Sequence, residues 1–111
     1  MPRRRVLDLL GLAARAGTLV TGTGSVRQAV REERVHRVFL AEDAAQGQRQ
    51  KIEPLLQARG VPSHTLFSRV ELGSAIGRSP VSAVGIIDRN LARRLGELVA
   101  VLPKSRSAVE P

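Results

Sequence analysis

The residues best placed to do chemistry lie in one short stretch, Gly22-Thr23-Gly24-Ser25-Val26-Arg27-Gln28, directly behind the apolar pair Leu19–Val20. A G-x-G after an apolar run is half of a dinucleotide fingerprint, whose tight turn brings a pyrophosphate to a helix N-terminus. The third glycine of that fingerprint falls at position 27, where this chain has Arg27. The acidic residue about 20 positions further on is supplied by Glu42 or Asp43, so a nucleotide site has part of its signature only. Ser25 and Gln28 have the S-x-x-Q spacing of a capping box, which explains half of the stretch with no ligand at all. The residues suit an anion better. Backbone N–H groups at a helix start hold phosphate oxygens, and glycines let a phosphate or a base edge approach closely. Arg27 lies in the first turn of the helix to come, Arg31 follows one turn later on the same side, and Arg34 and Arg37 come after.

Other chemistries find less support. His36 and His64 lie far apart, and neither has a second ligand at a metal-binding spacing. The chain has no cysteine, which removes disulfides, thiol chemistry and most structural zinc sites. Glu42 and Asp43 follow an apolar run and precede a helical one, where Asp43 reads as an N-cap rather than half of an acid–base pair. No serine sits in a G-x-S-x-G elbow. The residues therefore predict no catalytic centre, no metal and no cofactor.

The 111 residues suffice for one domain, and 42% hydrophobic content is that of a globular chain. The formal charge of +8 points to a polyanionic partner, and 16 of the 18 basic residues are arginine. That charge gathers in the first third, where residues 1–37 set eight arginines against Asp8, Glu32 and Glu33. Tryptophan and tyrosine are absent and Phe39 and Phe67 are the only aromatics, so base stacking on an aromatic sheet platform is excluded. The opening MPRRRVLDLLGLAARAG has the outline of a signal peptide, but Asp8 and Arg15 interrupt it. No apolar run approaches the roughly 18 residues of a membrane span, and a soluble cytoplasmic protein is expected.

These residues must be positioned by alternating elements. Val6, Leu9, Leu10 and Ala13 carry a helical period, closed by Gly17. TLVTG reads as a short strand, and a helix starts at Ser25 with Val26, Ala29 and Val30 on one face. VHRVFLA is a buried strand. The helix after Asp43 runs to Arg59 with Pro54 inside it, which predicts a kink or a late start, and Gly60 ends it. PSHTLF, RVELGSAIG, VSAVGIID and RNLARRLGELVAVL then read as strand, short helix, strand and helix. The fold expected is an α/β three-layer α/β/α sandwich, a mixed sheet of about four strands with helices on both faces. Residues 1–102 form the single domain, and 103–111 read as a flexible tail.

Four segments, LLGLAARAGTLVTG, VHRVFLAEDA, VELGSAIG and SAVGIID, resemble in order and spacing the L-seven-Ae family of ribosomal proteins, and within it the bacterial YlxQ-like branch. The resemblance runs from about Leu7 to Leu95. It implies a non-enzymatic α/β/α domain that binds kink-turn RNA, holding a sharply bent internal loop and contacting its tandem G·A pairs. It also implies three contributions to one RNA-binding edge. The first is Gly22, Thr23, Gly24, Ser25 and Gln28; the second is Arg37 entering the next strand, with Glu42 and Asp43 at that strand's far end. The third is the loop Gly77, Arg78, Ser79, Pro80 and Val81. Arg27, Arg31 and Arg37 would supply charge to a backbone-led contact. The family carries asparagine or lysine, then glutamate or glutamine, then lysine where this chain has Gly24, Ser25 and Gln28. An amide at Gln28 forms hydrogen bonds but neutralises no phosphate. The expected partner is a structured RNA, ribosomal or bound alongside ribosomes or translation factors, and the expected state is a monomer. Two alternatives stay open: a protein-interaction module that has lost its RNA, and a nucleotide binder at the G-x-G turn.

Overall fold

The computed structural model describes residues 2–102, so the tail expected at 103–111 lies outside the described residues. Strand alternation decides which helix lies where. In β2 (Arg37–Ala41), Val38 and Leu40 point to one face of the sheet and Phe39 and Ala41 to the other, all four buried. Val38 and Leu40 meet Val26, Ala29 and Val30 of α2 (Thr23–Arg31) and Ile52 and Leu56 of α3 (Gln46–Arg59). Phe39 and Ala41 join the other cluster. That cluster holds Val6 and Leu10 of α1 (Pro2–Arg15), Leu72 of α4 (Arg69–Ala75) and Ala92 and Leu95 of α5 (Arg89–Ala100). Two apolar layers thus enclose one sheet, which is the three-layer sandwich expected from the sequence.

The sheet also contains β1 (Leu19–Thr21), β3 (Ser63–Phe67) and β4 (Ala83–Ile86), in the order β1-β4-β2-β3. β4 runs antiparallel to both β1 and β2, and β2 runs parallel to β3. The carboxyl ends of β1, β2 and β3 and the amino end of β4 therefore share one end of the sheet, which we call the upper end. Gly22 donates to the Ala83 carbonyl there at 2.8 Å, Ala41 to Ser82 at 2.9 Å and Glu42 to Phe67 at 2.7 Å. No helix among the described residues is long and apolar enough to cross a membrane.

Three local expectations are corrected. First, α2 starts at Thr23, not Ser25, and the Ser25–Gln28 capping box does not form. Gly22 takes φ 93° and ψ 144°, backbone open almost only to glycine, and its carbonyl accepts from Val26 at 2.9 Å. The helix can therefore begin directly behind the strand. Ser25 lies inside it, and the Gln28 amide donates to Glu32 at 2.8 Å. Second, Asp43 does not cap α3, whose N-cap is Ala45 without a side-chain bond. Asp43 instead accepts from the backbone N–H of Arg69 at 2.8 Å, pinning the β2–α3 loop to the start of α4. Third, the late start offered for Pro54 does not occur, because α3 starts at Gln46 and runs through Pro54 to Arg59. The carbonyl that loses its partner belongs to Gln50, an exposed residue beside the exposed Pro54, where water can replace the missing bond.

Candidate nucleic-acid interface

The upper end gathers segments that are far apart in the chain. α2 begins there behind Gly22, with no side-chain cap and no acidic residue in its first turn. The N–H groups of Thr23, Gly24 and Ser25 open the helix, and its dipole makes this the positive end. Gly24 and Ser25 are exposed and Thr23 is buried. A methyl group built on Gly24 meets nothing within 4 Å, so the glycine leaves open space in front of the backbone.

Glu42 and Asp43 stand at the same end of the sheet, where β2 ends, with β4 between them and the turn. The Glu42 side chain is exposed, whereas that of Asp43 is engaged with Arg69. Arg49 reaches back from α3 to the carbonyls of Ala41 and Glu42 at 3.4 and 3.2 Å and fixes the strand's end. The third segment, Gly77–Val81, lies along α4. Gly77 has φ 75°, Arg78 donates to the Gly73 carbonyl at 2.8 Å, and Val81 donates to that of Arg69 at 3.1 Å. Gly73 permits this approach, because a Cβ there would stand 2.7 Å from the Ser79 carbonyl carbon and 2.9 Å from the Arg78 oxygen.

The basic residues divide. Arg27 sits one turn into α2, about 6 Å along the axis from Thr23, half-buried, its Nε enclosed and without a hydrogen-bond partner among the described residues. Arg78 is exposed within the third segment. Arg31 ends α2, about 12 Å from its start, and its carbonyl accepts from Arg59 at 3.3 Å. Arg37 is placed away from the site: it opens β2 opposite Ile86, some four residues or about 13 Å below the upper end. Its Nε donates to the Ala92 carbonyl at 2.6 Å and its NH1 to Nε2 of His64 at 2.9 Å. Gly96 makes room for it, since a Cβ there would lie 2.6 Å from the guanidinium carbon. Arg37 is thus a packing residue between α5 and β3, and burial lowers its pKa from the usual range.

Arg69 joins these residues without having been marked by any of the sequence motifs above. Its N–H is held by Asp43 and its carbonyl by Val81, so it stands between the second and third segments with its side chain exposed. The signal was present in Ser68-x-x-Glu71, a capping box that the structure forms in full and that places Arg69 at the first helical position.

The Arg37–His64 contact makes a pH prediction. Arg37 donates to Nε2, so His64 is neutral with its proton on Nδ1, and burial first and the Arg37 charge second lower its pKa below the usual 6.5. The unfolded chain takes up this proton near 6.5, the folded chain only at lower pH. Stability is therefore full above about pH 6.5 and falls as pH drops towards the folded value. Glu71 is also lowered, by the Ser68 backbone hydrogen bond above all, so its contribution persists above the carboxylate range and is lost only further down. The urea midpoint is expected to fall between about pH 7.5 and 5.5, and His64→Gln to remove most of that fall. An equal fall in the variant would contradict the assignment.

The comparisons with known proteins bear on the family and the fold. The RNA-binding protein YlxQ of Enterococcus faecium is 35% identical over 97 residues, covering 87% of this chain and 93% of that protein. The protein of the same name from Bacillus subtilis is 34% identical over 91 residues, covering 82% and 91%. A protein of unknown function from Bacillus halodurans superposes with a TM-score of 0.82 at 35% identity, over 86% of this chain and 96% of that one. The 15.5kD RNA binding protein of Giardia lamblia shares the fold, with a TM-score of 0.77 at 20% identity over 91% and 90%. A family model matches residues 4–99, nearly the whole described domain. By that match and these relatives, the chain belongs to the Ribosomal protein L7Ae/L30e/S12e/Gadd45 family.

Proposed function

We propose that this chain is a non-enzymatic RNA-binding protein that holds a structured RNA, a kink-turn, against the upper end of its sheet. The observation that supports the reading is that Gly22–Ser25, with its uncapped helix N-terminus, Glu42–Asp43 and Gly77–Val81 share the upper end of the sheet. Arg27 in α2, Arg69 at the start of α4 and Arg78 in the third segment add positive charge at that end. Phosphate oxygens meet the N–H groups of Thr23, Gly24 and Ser25, and the Glu42 carboxylate accepts from base amino groups. Gln28 is occupied with Glu32, so the contact is led by backbone and charge rather than by side chains of α2. Two relatives that cover most of the chain carry the name RNA-binding protein, which supports the same partner. Ribosome or translation-factor association of a monomer belongs to this proposal.

Gly24→Ala tests it, because its two expected effects have opposite signs. Alanine favours a helix over glycine by up to about 1 kcal/mol, and nothing obstructs its methyl group, so the melting temperature should rise. The same methyl group stands where the RNA backbone must approach, so affinity for a kink-turn RNA should fall. A variant that is more stable and binds equally well would contradict backbone-led contact.

One observation favours the protein-module alternative. Leu12 and Val70, 53% and 62% exposed, flank a groove of about 680 Å³ between α1 and α4, whose lining includes none of the three segments' residues. A stoichiometric partner that survives ribonuclease and is lost in Leu12→Asp would support it.

A further inference from the structure

Among the described residues, one edge of the sheet is open beside the proposed interface. β1 pairs with β4 alone among the described residues, in the register Leu19↔Ile86, Val20↔Gly85 and Thr21↔Val84. Ile87 donates to the Thr18 carbonyl at 3.1 Å and Gly22 to that of Ala83 at 2.8 Å. Bonded and non-bonded positions alternate in an antiparallel pair. Thr18, Val20 and Gly22 therefore face β4, and the N–H and C=O of Leu19 and Thr21 point outward. Against them lies a groove of about 490 Å³ lined by Ala14, Leu19, Thr21, Ile76, Gly77 and Arg78. Ala14, Leu19 and Ile76 give it apolar walls. The Arg78 side chain is exposed and makes no hydrogen bond or ion pair among the described residues. Gly77 and Arg78 belong to the third interface segment, so the groove continues that surface.

We propose that this edge captures one unpaired nucleotide of the bound RNA, with the Watson–Crick edge of its base on the Thr21 N–H and C=O and its phosphate on Arg78. The inference rests on the RNA-binding reading above and adds a second contact to it. An outward strand residue presents one donor and one acceptor side by side, and every nucleobase carries an adjacent donor and acceptor on its Watson–Crick edge. A base inside a duplex has that edge occupied, so the site selects unpaired nucleotides. With no tryptophan or tyrosine, and with Phe39 and Phe67 both fully buried, no aromatic platform competes for the role. β1 has only two outward residues, which is short for an extended peptide adding a strand and sufficient for one base.

The test follows backbone amide signals of the full chain by NMR during titration with the trinucleotide UUU and with its N3-methyluridine counterpart, whose donor is blocked. UUU should move the Leu19, Thr21, Gly77 and Arg78 amides, and the methylated form should bind at least fivefold more weakly. Thr21→Pro removes the outward N–H at an edge position where proline is tolerated, and should weaken UUU about five- to tenfold. Thr21→Val keeps the N–H and should stay within about twofold on the same reasoning. Should the proline variant fail to fold, the methylated ligand still decides. Equal binding of the two trinucleotides, or unmoved Leu19 and Thr21 amides, overturns the inference. If a kink-turn RNA then moves the Gly22–Ser25 amides, the RNA-binding reading survives alone; if it moves none, both fall. An acidic peptide that shifts Thr21 where no RNA does would assign the edge to a protein.

Discussion

Gly73→Ala is expected to destabilise the protein by about 1–3 kcal/mol and to weaken RNA binding with it. Inside an exposed helix the same change stabilises by about 1 kcal/mol, because alanine loses less backbone freedom. Gly73 is buried in α4, and its missing side chain lets the backbone of Arg78 and Ser79 lie directly on the helix. The atoms in the way belong to the main chain, so no rotamer change relieves the contact. Either α4 or the Gly77–Val81 loop must shift, and both are tied to the upper end through Arg69 and Val81. Urea unfolding and a binding titration on the one variant check both effects. A Gly73→Ala protein more stable than the parent would mean that the loop does not rest on α4 as described.

The second large effect is electrostatic. Replacing Arg27, Arg69 and Arg78 together by alanine should lower RNA affinity by orders of magnitude at low salt. It should also reduce the slope of log K against log salt by about 2–3, since each lost phosphate contact removes a little less than one. None of the three forms an ion pair among the described residues, so stability should change little. Arg37→Ala is the control with the reverse signature. It breaks two hydrogen bonds at the lower end of β2, takes the donor from His64 and leaves the Ala92 carbonyl only its bond within α5. Stability should fall by about 1–3 kcal/mol while the salt slope is kept. A triple variant with the parent slope would remove the proposed surface.

These two residue sets show how far the sequence could be read. The layers were legible because Val38, Phe39, Leu40 and Ala41 alternate between two cores, a local pattern with a global consequence. Helix ends were legible where glycine was required: Gly17, Gly60 and Gly77 all take positive φ, between 67° and 75°. Positions set by tertiary pairing were not. Arg37 stands at the start of a strand in any reading, but only the order β1-β4-β2-β3 shows that this start lies far from the Gly22 turn. Asp43 precedes a helix and has the right side chain to cap it. It caps the start of another helix instead, one that the fold brings within 2.8 Å. Ser25 was misplaced because Gly22 reads as a strand end and its φ of 93°, which lets the helix begin at once, has no signature in composition. Arg69 acquires its place only when Asp43 and Val81 close on it.

The most direct test of the central claim is a titration at two salt concentrations against three RNAs: a kink-turn, the same hairpin with its G·A pairs replaced, and a plain duplex. The account predicts preference for the kink-turn at both salts, despite Gly24, Ser25 and Gln28, because shape and backbone amides carry the recognition. Equal, salt-sensitive binding to all three would contradict kink-turn recognition and leave a basic protein with another RNA target. No binding at low salt would contradict the RNA-binding reading itself.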